Sequence, residues 1–508
     1  MTGPLPDVVI GSGPAGVSVA TALLARGRPV VVLDGGRDLP ADAEARRSAL
    51  AATPPEGWSK AQRNGWQAGQ FDAAGAEVRR FGTGYAMEPA EATFAEADGL
   101  ALRASLAVGG LSNFWGSAML PYRQEDMTGW PISATDLAPH YAAVMDFVPM
   151  AGVEDALAPL FPALPMAGRS PILPGPQARA VLARHRPSAR FRMGLARQAV
   201  ASGCKGCGMC LHGCPWRLIW SARDQLARLR QQGVLDHRPG APVVSIVESG
   251  SDAVVYRADG TAIRGARVYL AAGVLGSAAI LLRSLPGMRE LTMADSAQGF
   301  LPTIQTVRTD GAPDRVPFHT LPQIFAELTD PAVSPHTVHA QLYGWNEYYE
   351  RDLRANHGRK IPFSGPIWRA LARRLVVAQI FLHSTHSAQV RLGLAEDGRL
   401  QAEVRPNPQT LDHLKAAAAA MGRQLRLSGL QPLTFALRPG AVGSGFHAGS
   451  TLPMTVAAGA GQSDLLGRPA GWQRLHVVDS SILPAIPATT ITLAVMANAH
   501  RIGACNPS

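Results

Sequence analysis

The stretch Asp7-Val8-Val9-Ile10-Gly11-Ser12-Gly13-Pro14-Ala15-Gly16, completed by Pro29-Val30-Val31-Val32-Leu33-Asp34, decides the architecture. A short β-branched run, a glycine turn, a small-residue helix from Val17 to Arg26 and a second apolar run ending in an acid make one βαβ unit. The first glycine makes the tight turn, the second lets backbone approach a pyrophosphate, and the third lets helix and strand pack closely. The helix N-terminus then offers its free N–H groups to phosphate. Asp34 is placed to accept hydrogen bonds from an adenosine ribose, which fits FAD or NAD and not NADP. Gly11, Gly13, Gly16 and Asp34 are therefore expected to bind a dinucleotide in a Rossmann-type domain.

Working outward, Leu157 to Gln177 is Pro-rich and reads as a connector, neither helix nor central strand. Ile219 to Gln232 has helical spacing with a Gly233 stop, and Val243–Val247, Ala253–Arg257 and Val268–Leu270 read as strands. Between about 300 and 440 the pattern alternates, as in Val376–Phe381, Gln389–Leu394 and Leu400–Arg405, which predicts an antiparallel sheet. A helix over Gln409–Leu427 and a strand over Pro432–Leu437 follow. Pro40 to Leu100 shows no strong period and reads as loops with a few helical turns. Arg351, Arg354, Arg359 and Lys360 read as a solvated basic loop, with a lid as the alternative.

The chain has 508 residues, 46% hydrophobic and 17% charged, which excludes a disordered polymer. No apolar run is long enough to span a bilayer, and the N-terminus lacks the marks of a secretory leader, so the expectation is a cytoplasmic protein with no transmembrane segment. Of 48 basic side chains only Lys60, Lys205, Lys360 and Lys415 are lysine. The arginines are scattered and leave no nucleic-acid footprint; the Arg-rich, Lys-poor balance reads as base composition of the coding genome, with an anionic substrate or an acidic electron partner as the alternative.

Four of the five cysteines form Cys204-x2-Cys207-x2-Cys210-x3-Cys214-Pro215, the bacterial ferredoxin spacing. One iron–sulfur cluster is the maximum, because only Cys505 remains. The cluster is read as 4Fe-4S on Cys204, Cys207, Cys210 and Cys214, with Cys505 as an alternative fourth ligand, 3Fe-4S as an alternative nuclearity, and a structural zinc site as the alternative metal.

Later segments resemble the glucose-methanol-choline (GMC) flavin oxidoreductases, including the pyranose-oxidase-like members, in order and spacing. They are Val108-Gly109-Gly110-Leu111-Ser112-Asn113-Phe114-Trp115-Gly116, Leu270 to Ser277, Phe446-His447-Ala448-Gly449-Ser450-Thr451, and Val477-Val478-Asp479-Ser480-Ser481 through Asn498. The resemblance implies an α/β fold in which a Rossmann-type FAD-binding domain (1–130, 201–300 and 441–508) carries an inserted antiparallel-sheet, α+β substrate domain (131–200 and 301–440). It implies that Gly109, Gly110 and Asn113 line the flavin, that Asp479 caps the cofactor site, and that Phe114 stands where some members have a flavin-linking histidine, so that FAD is bound non-covalently. It makes His447 the general base, with His383 and His386 as rivals on an expected strand. Thr490 stands where the family has an Asn or His partner to that base. A hydroxyl lacks the amide's fork of donors, so the proton step is altered or the substrate differs.

The implied activity is oxidation of a CH–OH group of a sugar, polyol or related alcohol. A cluster passing single electrons to a protein acceptor favours a dehydrogenase over an oxidase. Two alternatives stay open: a flavin and iron–sulfur enzyme that reduces or rearranges an unsaturated or keto substrate with electrons from a protein donor, and a non-catalytic electron-transfer flavoprotein with structural zinc.

Overall fold

A computed structural model describes residues 4–67, 70–71, 77–78, 84–86, 94–96, 99–315, 317–357 and 365–505. Five parallel strands lie in the order Leu475–Val477, Arg267–Leu270, Asp7–Ile10, Val30–Asp34, Leu235–Pro239. The beginning, middle and end of the chain thus stand side by side. Every residue of Asp7–Ile10 is buried, because helix Pro14–Ala25 and the strands Asp252–Arg257 and Ala262–Gly265 pack against the parallel sheet, and this is why valines run consecutively there. Asp7, the polar exception, is held by Arg28 at 2.8 Å. Helix Pro14–Ala25 opens with proline at its first turn and packs on the last helix, Thr492–Cys505, which also packs on Ala134–Met145.

An antiparallel sheet has the order Leu430–Pro432, Gln298–Gln305, Leu375–Phe381, Val338–Tyr343, Ile324–Leu328, Phe191–Leu195. Period-two alternation sends Ile324, Ala326, Val338, Ala340, Ala378 and Ile380 into one core with Leu414, Met421 and Leu425 of helix Thr410–Leu427. The opposite face carries Glu327, His339, Gln341, Tyr343, Gln379 and Phe381. Ala448–Gly449, Glu290–Asp295, Gln389–Leu394 and Leu400–Arg405 form a further antiparallel sheet, edged by Phe94–Glu96 in parallel. A three-stranded sheet joins Val243–Ser249, Asp252–Arg257 and Ala262–Gly265. Among the described residues no helix is long and apolar enough to cross a membrane.

Four local expectations are corrected. Ala41–Ala51, expected as loop, is a helix that buries only Ala43 and Leu50 and is supported by charge pairs Asp42–Arg46 and Glu44–Arg47, so it has no apolar stripe to read. Arg351 and Arg354 lie on helix Glu347–His357, while Arg359 and Lys360 fall outside the described residues. The strand expected over Pro432–Leu437 is Leu430–Pro432, followed by a 3-10 turn over Thr434–Ala436. His383 and His386 do not sit on a strand, because the strand ends at Phe381 and the His383 side chain caps a 3-10 turn by accepting from the Thr385 N–H. Their rings instead join a stack in which His336 lies 3.7 Å from His383 and His413 lies 4.1 Å from His386.

Candidate active site

A cavity of about 520 Å³ opens at the C-terminal ends of the parallel strands, walled by Gly11, Gly13, Asp34, Gly110, Gly273 and Asp479. Helices Pro14–Ala25, Gly273–Ser284 and Thr492–Cys505 all begin on its wall, so three sets of free N–H groups converge on it. Gly11 has φ +101°, and a Cβ there would collide with the carbonyl oxygen of Ala271. Gly16 lies behind the wall, where a Cβ would overlap the Gly11 carbonyl, in keeping with its packing role. Asp34 Oδ1 accepts from the Gly36 N–H at 2.9 Å, and Oδ2 pairs with His237 Nε2 at 3.1 Å. The Asp479 carboxylate accepts from Ser277 Oγ at 2.5 Å and from the Ser481 N–H at 3.0 Å, and burial raises its pKa against those bonds.

A second cavity of about 380 Å³ adjoins the first. Pro14, Leu111, Phe446, Ile491 and Thr492 line both, so the positive end of the last helix stands at the junction. Both volumes suit a small molecule or cofactor. Asn113, Phe114, His447 and Thr490 are on the wall of the second cavity, which gathers residues far apart in sequence. Gly109 lies behind it with φ +86°, and a Cβ would stand 2.6 Å from the Arg223 backbone nitrogen. Asn113 is pinned by its own loop, donating from Nδ2 to Val108 O and Gly110 O at 2.8 Å each and accepting from Ser221 Oγ at 2.9 Å. Its amide shapes the loop. Thr490 Oγ1 accepts from the buried Leu120 N–H at 2.8 Å.

His447 is carried on the turn before Ala448–Gly449, and its carbonyl accepts from the Ser296 N–H at 3.0 Å. Phe381 stacks on the imidazole at 4.8 Å and 24°. Enclosure by these walls, then the proximity of His339, pushes its pKa down to about 3, so the ring is neutral at ordinary pH. Its Nδ1 is buried, which leaves Nε2 for the cavity. Sequence reasoning missed another part of this wall: Tyr343 Oη shares its one hydrogen between Gln341 Oε1 and Gln379 Oε1, each 3.0 Å away, Gln379 Nε2 donates to Gln298, and Gln298 Nε2 donates to Ser444 Oγ at 2.7 Å. The signal was present in Val338-His339-Ala340-Gln341-Leu342-Tyr343, where polar residues alternate with apolar ones on a strand that has no solvent side.

The four clustered cysteines line one small cavity with Ile172, Val200, Trp216 and His319, and Cys210 and Cys214 lie also on the wall of the 380 Å³ cavity. Burial raises the Cys210 thiol to about 12 and also lifts Cys207 and Cys214, with the neighbouring sulfurs adding to the effect. Thiolate sulfur suits iron or zinc. As they stand, no three His, Cys, Asp or Glu among the described residues are grouped so as to hold a metal ion. The four sulfurs share a cavity without closing on a common point.

No protein-family model matches the sequence, and no curated protein matches it. Among solved structures, pyridoxine 4-oxidase from Mesorbium loti matches with a TM-score of 0.55, covering 98% of this chain and 98% of its own, at 16% identity. The likeness is one of fold. It runs from end to end, so the parallel sheet and the antiparallel sheets together form an architecture that a known oxidase also has.

Proposed function

We propose that the chain is an FAD-dependent oxidoreductase acting on a CH–OH group of a small polar alcohol. One observation carries the reading: the cavity built on the dinucleotide motif runs into a second one whose wall presents His447, with the start of the last helix at the junction. FAD, when bound, supplies a two-electron acceptor. Gly11, Gly13, Asp34 and Asp479 would hold its dinucleotide part. Gly110 and the Asn113 loop would border its ring, and Phe114 offers no nucleophile for a covalent link. His447 Nε2 takes the hydroxyl proton, and the Gln341, Tyr343 and Gln379 row, rich in donors and acceptors, orients a hydroxyl-bearing substrate such as a sugar or polyol. In this reading segments 1–130, 201–300 and 441–508 serve the flavin, and 131–200 and 301–440 serve the substrate.

The cysteines are assigned to an iron–sulfur cluster. Their spacing and shared cavity support this, and the place of Cys210 and Cys214 on the substrate cavity's wall favours exchange of electrons between the flavin site and an external protein acceptor. A cluster there would supply a one-electron relay.

Iron, acid-labile sulfide and flavin analysis on protein purified without oxygen tests the assignment, together with anaerobic flavin bleaching by sugars, polyols and pyridoxine, the last because the structural neighbour is a pyridoxine 4-oxidase. Bound flavin bleached by one of these alcohols is the expected result. Failure to bind flavin overturns the proposal, and zinc without sulfide removes the relay while leaving an alcohol oxidase.

A further inference from the structure

On the inner face of the large antiparallel sheet, Glu327 stands opposite His339 in register, and His339 stands opposite Phe381. Residues so placed share a face and touch across the strands. Glu327 and His339 have no exposed surface, and His339 Nδ1 pairs with Glu327 Oε1 at 2.7 Å. Burying such a pair is costly, and apolar residues of similar size would fill the site at less expense. Three polar atoms here have no hydrogen-bond partner among the described residues: Glu327 Oε2, His339 Nε2 and His447 Nδ1. The Phe381 ring lies against both imidazoles, 6.0 Å from His339 and 4.8 Å from His447.

We propose that Glu327 and His339 form a relay behind His447 that fixes its tautomer and takes up the charge it gains. The inference rests on His447 being the general base. A histidine that accepts a proton at Nε2 carries its own hydrogen on Nδ1, and a buried Nδ1–H requires an acceptor. With its Nδ1–H given to Glu327, His339 has its lone pair on Nε2, which is the acceptor required. The two nitrogens are not hydrogen-bonded to each other directly, and the link between them passes through one buried water.

As the substrate O–H bond breaks, an N–H bond forms at His447 Nε2. The Nδ1 proton moves to His339 Nε2, and the His339 Nδ1 proton moves to Glu327. Both imidazoles end neutral and the carboxylate is protonated, so no net charge is left in the cavity wall. The other charged groups near Glu327 are Asp126 and Arg123, which act on it in opposite senses and are joined through Thr337, and Arg192, its cross-strand neighbour, which donates to Ala156 O. His339 is the titratable neighbour whose proximity lowers the basicity of His447.

The test uses the flavin-loaded full chain with ¹⁵N-labelled histidine, the His447 signal being assigned by its loss in His447→Asn. The wild type is expected to show His447 with hydrogen on Nδ1, and Glu327→Gln and His339→Gln are expected to mix or reverse that tautomer while retaining flavin and a cooperative melt. With the alcohol that bleaches the flavin fastest, both variants should lose about 10²-fold in kcat with KM nearly unchanged, as for a mispositioned base. They should also shift the acid limb of the pH profile. An Nε2–H tautomer in the wild type, or one unmoved in both variants, overturns the relay. Unchanged turnover in His447→Asn overturns the general-base reading instead. If Glu327→Gln fails to fold, His339→Gln decides the matter.

Discussion

Replacing Thr490 by valine keeps the shape of the side chain and removes one oxygen. That oxygen accepts the Leu120 N–H at 2.8 Å, and both residues are buried. The substitution leaves a buried backbone donor unpaired, which costs about 1–3 kcal/mol, whereas serine restores the acceptor at the smaller cost of a lost methyl. In a thermal melt of the flavin-loaded protein, Thr490→Val should lower the midpoint by a few degrees and Thr490→Ser by less. Thr490 lines the same cavity as His447, and accepting from Leu120 leaves its own hydroxyl hydrogen free to meet a substrate oxygen. Anaerobic flavin bleaching by the best alcohol should therefore slow in Thr490→Val beyond what the lost stability explains, and recover in Thr490→Ser. A valine variant with the wild-type midpoint and the wild-type bleaching rate would refute both parts of the argument. A lowered midpoint with an unchanged rate would leave Thr490 as a structural clasp of the loop at Leu120.

Gly11→Ala places a Cβ against the Ala271 carbonyl at a positive φ, so the protein should be recovered with little flavin, and equilibrium dialysis against FAD should show at least a tenfold weaker Kd; full flavin content would contradict the close approach. Acid sensitivity follows from buried neutral histidines: His447 and His383 are pushed down to about 3, and His476, stacked on Tyr269 at 5.1 Å, to about 4. The unfolded chain takes these protons near pH 6.5 while the fold refuses them, so stability is flat above that pH and falls as pH drops from 6.5 toward 4. Each group costs about 2 kcal/mol at pH 5. Urea midpoints measured from pH 8 to 4.5 check this, and His476→Gln should flatten the decline.

The glycine turn and its flanking apolar runs could be read because strand, turn and helix follow one another in sequence and Gly16 packs on the Gly11 carbonyl, whereas the Ala271 carbonyl that excludes a side chain at Gly11 is brought there only by the fold. The four cysteines were legible for the same reason. His383 and His386 were misread because the end of a strand is set by hydrogen bonds to remote partners; here Ser384 pairs with Ile486 through both its N–H and its Oγ. Helix Ala41–Ala51 escaped notice because charge pairs, not an apolar stripe, support it.

By itself the sequence determined the dinucleotide-type turn, the two strands that flank it, and the concentration of thiols; that Leu235–Pro239 and Leu475–Val477 join them in one parallel sheet was decided by the fold. It could not determine which side chains meet. Strands from both ends of the chain close one sheet, and the inner face of a second sheet brings Glu327, His339 and Gln379 toward the turn that carries His447. Register between strands depends on long-range pairing and burial, so only the folded chain decided that a row of alternating polar residues lines a cavity and does not face water.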